Sequence, residues 1–143
     1  MKYFTINELT HSDTAIALGI ENKPNHKITE HLVQLIEELL DPLREAWGSA
    51  IKVTSGYRCA KLNNVLKGSS PTSAHLVGFA ADLVPCNGSI TEFKKFVVKW
   101  LKENNIAFDQ CLCETNGQGK QWVHLGLYNL SMQQRKQILN LNV

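Results

Sequence analysis

The sequence is short of several things at once, and each shortage excludes something. Four cysteines in 143 residues are too few for a disulfide-stapled scaffold. No charge sign dominates: 15 Lys and Arg face 13 Asp and Glu, for a net charge of +2. That excludes an acidic disordered chain, and it is too mild for an obligate nucleic-acid binder. No run comes near the roughly 18 apolar residues of a membrane span, so no insertion is expected. The opening residues meet Glu8 before an apolar stretch of signal-peptide length can build. A cytoplasmic product without a signal peptide is therefore expected, one that reaches anything outside the membrane only if it is released. Repeats, low-complexity runs and linkers are absent too. One domain over residues 1–143, present as a monomer, is the expectation.

Cys59, Cys86, Cys111 and Cys113 are scattered. Cys111 and Cys113 form C-x-C, which matches neither the redox spacing nor the zinc-knuckle spacing. Free, mostly buried thiols follow, with this pair on one face of a strand.

What is present is periodic. Ser12 and Gly19 bracket a short helix as N-cap and stop. Residues 28–47 carry Leu32, Leu35, Ile36, Leu39, Leu40 and Leu43 at helical spacing, with Pro42 expected to kink or divide the helix. Residues 51–55 and 78–84 read as strands. Residues 60–66 read as a short helix closed by Gly68, and 91–104 as an amphipathic helix. Residues 108–115 and 120–127 read as a hairpin turning at Asn116-Gly117-Gln118-Gly119. Ser131 and Gln134 have capping-box spacing and predict a last helix. The sum is α+β: a small antiparallel sheet packed against helices.

Three residues stand out chemically. Asp82 lies inside an otherwise apolar strand, where a lone carboxylate is costly. His75 precedes it by seven residues, at the end of a polar loop. His124 alternates with Val123 and Leu125, so it projects from the face opposite them. Two imidazoles and a carboxylate are ordinary zinc ligands, and three ligands with one open position is the catalytic pattern. Spacing alone leaves open that Asp82 and His124 serve separate hydrogen-bond networks. Arg58 follows a glycine turn at a strand end, where its planar fork can take a carboxylate. An exposed ion pair is the other reading of it. His11, His26 and His31 are expected on the solvated surface.

Taken together, Ser55-Gly56-Tyr57-Arg58, Leu62-Asn63, the S-x-H-x-x-G-x-A-x-D run from Ser73 to Asp82, and Trp122-Val123-His124 are specific. In this order they resemble the zinc D-Ala-D-Ala carboxypeptidase family of the Hedgehog/DD-peptidase superfamily. The short phage and prophage members are the most similar. Phe4-Thr5-Ile6-Asn7-Glu8-Leu9, residues 19–24 and Leu40-Asp41-Pro42-Leu43-Arg44 add to the likeness, which runs from about residue 4 to about residue 128.

The resemblance implies one Zn2+ held by His75, Asp82 and His124. It implies that Arg58 contacts substrate and steadies charge at the scissile carbonyl, from a cleft facing solvent. Ser73 then supports the ligands or binds substrate. The implied substrate is a peptidoglycan stem peptide cut beside a D-amino acid, in phage lysis or wall remodelling. Release through a holin would suit a chain with no signal peptide. The sequence departs from the family in two places. Many members carry an acid three positions before the last histidine, where Gln121 stands here. Lys67-Gly68-Ser69-Ser70 replaces a more glycine-rich loop. Glu114 is the nearest acid and the candidate base, provided the hairpin turns it to the His124 face. A two-residue loop would turn it away, and a bulged or three-residue loop would turn it toward. The amide at Gln121 leaves a second reading, an inactive zinc-fold module that binds cell wall or serves as a virion part.

Overall fold

The computed structural model describes residues 1–66 and 69–143. The chain opens with α1 (Ile6–Thr10), which composition alone did not disclose. Thr5 caps it by accepting the Glu8 N–H. α2 (Asp13–Leu18) is capped as expected: the Ser12 hydroxyl accepts the Ala15 N–H, and Gly19 leaves the helix at φ +67°. A side chain at that angle would be strained, so glycine ends the helix at little cost.

α3 (His26–Leu35) is capped by Asn25 and continues through a π-turn, Ile36–Leu40, into α4 (Asp41–Trp47). Pro42 is the physical cause. It has no N–H, and its ring crowds the carbonyl one turn back. The helix widens just before it, so that the Asp41 N–H bonds the Ile36 carbonyl, five residues away. The expected break is therefore a loosened turn within a continuous rod. Leu32, Leu35, Ile36, Leu39, Leu40 and Leu43 along this rod are all fully buried.

Five strands form one sheet in the order β1-β2-β4-β3-β5. These are β1 (Ile51–Ser55), β2 (Ala80–Pro85), β3 (Gln110–Thr115), β4 (Gln121–Gly126) and β5 (Gln137–Asn142). Every pairing is antiparallel except β3 with β5, which is parallel. Helix α5 (Ala60–Val65) and a 3-10 turn (Ala74–Val77) lie between β1 and β2, and α6 (Ile90–Glu103) follows β2. The stop expected at Gly68 lies outside the described residues.

Alternation divides the sheet into two faces. Ala81, Leu83, Cys111, Val123 and Leu125 are buried with Phe93, Val97 and Leu101 of α6 in the core. Asp82, Leu112, Glu114, Trp122 and His124 point to the other face.

The last helix is a correction. The Asn129 carboxamide oxygen accepts the N–H groups of Ser131 and Gln133, which closes a turn where a helix was to start. Met132 and Lys136 have positive φ, and the chain then runs as β5 beside β3. His31 is a second correction. It is half-buried, stacked on the Phe79 ring at 4.1 Å, and its Nδ1 donates to the Val77 carbonyl at 2.7 Å.

Candidate metal centre

The site is built on the polar face where β2, β4 and β3 lie side by side. Asp82 and His124 are direct partners across β2 and β4, and Leu112 is the partner of His124 on β3. His75 comes from outside the sheet. The Ser73 hydroxyl accepts the His75 N–H and caps the 3-10 turn, which swings His75 over Asp82.

Three atoms converge there. His75 Nε2 is 3.2 Å from Asp82 Oδ1 and 3.1 Å from His124 Nδ1, and His124 Nδ1 is 3.1 Å from Asp82 Oδ1. Zinc bonds of about 2.0–2.1 Å at tetrahedral angles separate their ligand atoms by about 3.3–3.4 Å. The triangle is therefore already close to the size one ion requires. The imidazole tautomer suits it as well. His75 Nδ1 lies 2.6 Å from the Gly56 carbonyl oxygen, which can only accept. Nδ1 thus carries the proton, and Nε2 presents its lone pair to the triangle.

Electrostatics push the same way. Burial lowers the pKa of His75 and favours the neutral, ligating ring. Burial alone would raise the Asp82 carboxyl, but the attraction and hydrogen bonds of His75 and His124 outweigh it. They hold that carboxyl well below the usual carboxylate range. Donor set, spacing and tautomer all fit a zinc ion.

A bulge between β1 and β2, where Thr54 has no partner in the register, ends β1 and releases the Gly56–Arg58 stretch toward the site. Arg58 lines the cleft and is largely enclosed there. It is only 9% exposed, held by its backbone N–H to the His75 carbonyl, with Nη2 3.8 Å from Asp82 Oδ2. Its Nε is buried without a partner among the described residues. Burial lowers the pKa of this guanidinium, and the charges of Asp82 and Glu114 work against that.

The hairpin resolves the position of Glu114. Thr115 pairs with Gln121, and the Asn116 side-chain oxygen accepts the N–H groups of Gln118 and Lys120. This odd-length connection sets Glu114 and His124 on one face, with Glu114 Oε1 4.0 Å from His124 Nδ1. Burial raises the pKa of Glu114, aided by the negative charge of Asp82. Gln121 is on the opposite face, where its oxygen accepts from Lys94 Nζ at 2.6 Å. An amide at that position therefore takes nothing from the site.

These groups line one cleft of about 530 Å³, with Arg58, Ser70, Thr72 and Ser73 on one wall and Asn116, Asn129, Arg135 and Leu141 on the other. Most of the second wall was missed from sequence. Asn129, Arg135 and Leu141 lie in the turn and strand that stand where a last helix was expected, while Asn116 belongs to the hairpin turn that the sequence disclosed. No helix of the described residues is long and apolar enough to cross a membrane.

A family model described as Peptidase M15 matches residues 2–125, which take in all three converging ligands and Arg58. No curated protein matches the chain.

Proposed function

The chain belongs to the Peptidase M15 family, and from that premise we propose that it is a zinc peptidase cutting peptidoglycan stem peptides beside a D-amino acid. The setting we infer is phage lysis of a wall, or its remodelling. The observation that carries the reading is the buried His75–Asp82–His124 triangle, with a carboxylate and a guanidinium at its edge in an open cleft.

In this reading His75 Nε2, Asp82 Oδ1 and His124 Nδ1 hold the ion. Zinc supplies a Lewis acid that polarises the scissile carbonyl and acidifies an attacking water. Glu114 accepts a proton from that water and returns it to the leaving amine. Its raised pKa suits both halves of that transfer. Arg58 donates to the carbonyl oxygen as negative charge develops there, from a position where water does not weaken the attraction. Ser73 holds the His75 turn and faces the same cleft. We read residues 1–143 as one domain, because β5 completes the sheet beyond the matched residues.

The inactive-module reading drew on the amide at Gln121. The approach of Glu114 to His124 favours the enzyme instead. Digestion of purified peptidoglycan with zinc-loaded protein, followed by mass spectrometry of the fragments, tests this. New peptide ends beside a D-amino acid are expected. Unchanged peptidoglycan with one zinc bound would leave the module.

A further inference from the structure

Arg58 and Arg135 are the two arginines on the cleft among the described residues, and no lysine joins them. Arg58 is committed to the triangle. Arg135 lies on the other wall, beyond the residues the family model matches. It is held in an unusual way. Asp109 is 2% exposed, and its Oδ1 accepts both the Arg135 backbone N–H at 3.1 Å and Nε at 2.8 Å. Asp109 Oδ2 accepts Nη2 at 2.9 Å. The backbone beside them is tied down too: the Lys136 N–H donates to the Phe108 carbonyl and the Gln137 N–H to the Asp109 carbonyl.

A guanidinium has five N–H groups in a rigid fork. Asp109 takes the Nε–Nη2 edge. The Nη1 hydrogens and the second Nη2 hydrogen have no acceptor among the described residues, and the side chain is 42% exposed. The edge left over is the end-on one, which binds a carboxylate through two parallel hydrogen bonds. Asp109 fixes the plane of the fork in advance, which removes most of the ordering cost of using it.

Its distance from the triangle follows from the sheet. Leu112 is the partner of His124, and Asp109 precedes it by three residues, about 10 Å along a strand at about 3.3 Å per residue. An extended peptide covers about the same length per residue. We propose that Arg135 is a specificity-determining residue that receives a substrate carboxylate about two to three residues from the bond cut. The substrate class is thus an acidic peptide. This deepens the peptidase reading and rests on it.

The probes are L-Ala-D-Glu-L-Lys-D-Ala-D-Ala and the same pentapeptide with D-Gln in place of D-Glu. Binding is read by titration calorimetry and hydrolysis by chromatography, on the same zinc-loaded samples. Wild type should bind the D-Glu peptide about 10- to 100-fold more tightly, the range for hydrogen bonds to a charged group. Asp109→Asn keeps the guanidinium but loosens the hold on its plane, and should weaken the preference without abolishing it. Asp109→Asn with Arg135→Gln leaves a neutral pair and no buried lone charge, and should bind both peptides alike. Equal affinity in wild type, including binding to neither peptide, overturns the proposal. So does a preference that survives the double change. A preference without hydrolysis would fell the peptidase reading and leave this site standing; hydrolysis without a preference would do the reverse.

Discussion

The Gly56 carbonyl accepts the Nδ1–H of His75 at 2.6 Å, so a residue without a side chain sets the tautomer of a candidate ligand. Gly56 cannot be replaced freely. A Cβ there would stand 2.2 Å from the Leu9 carbonyl oxygen, backbone that also accepts the Tyr57 N–H. Gly56→Ala must push α1 and the end of β1 apart. It should lower the melting temperature and weaken zinc binding together, although Gly56 is not a ligand. A zinc titration followed by a thermal melt checks both, and unchanged zinc affinity would remove Gly56 from the support of His75.

Zinc content tests the triangle itself. Wild type should hold about one zinc per chain, and His75→Ala, Asp82→Ala and His124→Ala should each lose most of it. Elemental analysis after gel filtration measures this directly. Equal content in all four proteins would mean the ion binds elsewhere.

How much of this was legible depended on the range of each signal. The face of His124 could be read from its alternation with Val123 and Leu125, which needs only neighbours in sequence. That Gln121 and Glu114 take opposite faces could not, since it turns on the length of the hairpin connection. The burial of Arg58 depends on a bulge between β1 and β2, and no local pattern announces it. Ser131 and Gln134 offered a sound local helix start. Asn129 captures the Ser131 N–H that the capping box would have used, along with that of Gln133, and pairing of β5 with β3 then outweighs helix propensity. The part of the second wall built by Asn129, Arg135 and Leu141 was therefore invisible until the sheet was in view.

Arg58→Ala should cost both chemistry and stability, because this guanidinium is buried beside Asp82. A drop of about 1–3 kcal/mol in unfolding free energy is expected, the usual cost of leaving a buried polar partner unsatisfied. Hydrolysis per folded molecule should fall on the order of 100-fold or more, as for loss of one oxyanion donor. Denaturant melts and single-turnover rates separate the two effects. A stability loss with intact turnover would make Arg58 a structural residue.

The Cys113 thiol offers a pH test away from the metal triangle. The neighbouring Cys111 thiol lowers its pKa to about 7, with Lys94 assisting against the opposing effect of burial. The same coupling and burial push Cys111 far up. Only the thiolate alkylates, so the iodoacetamide rate at Cys113 should rise through about pH 7 and level off above it, ahead of an ordinary thiol near 8.5. Lys94→Met should move that midpoint upward. Peptide mass spectrometry of timed samples reads it, and Cys111 reacting before Cys113 would contradict the assignment.

Glu114 is the assignment on which the proposed chemistry turns. Its carboxylate stands 4.0 Å from His124 Nδ1, on the face that the hairpin register selects. It is half-buried, it lines the cleft, and among the described residues its one ion-pair contact is with His124. A residue so placed can reach a water beside the triangle without being needed to build the triangle. Glu114→Gln keeps the size and shape of the side chain but cannot accept a proton. Zinc content and melting temperature should therefore stay near wild type, while hydrolysis falls by roughly 100- to 10,000-fold, the range for general acid–base catalysis. Gln121→Glu should restore none of it, since that side chain bonds Lys94 on the far face of the sheet. Near-wild-type turnover by Glu114→Gln would overturn the assignment, and rescue by Gln121→Glu would show that the hairpin register differs from the one described.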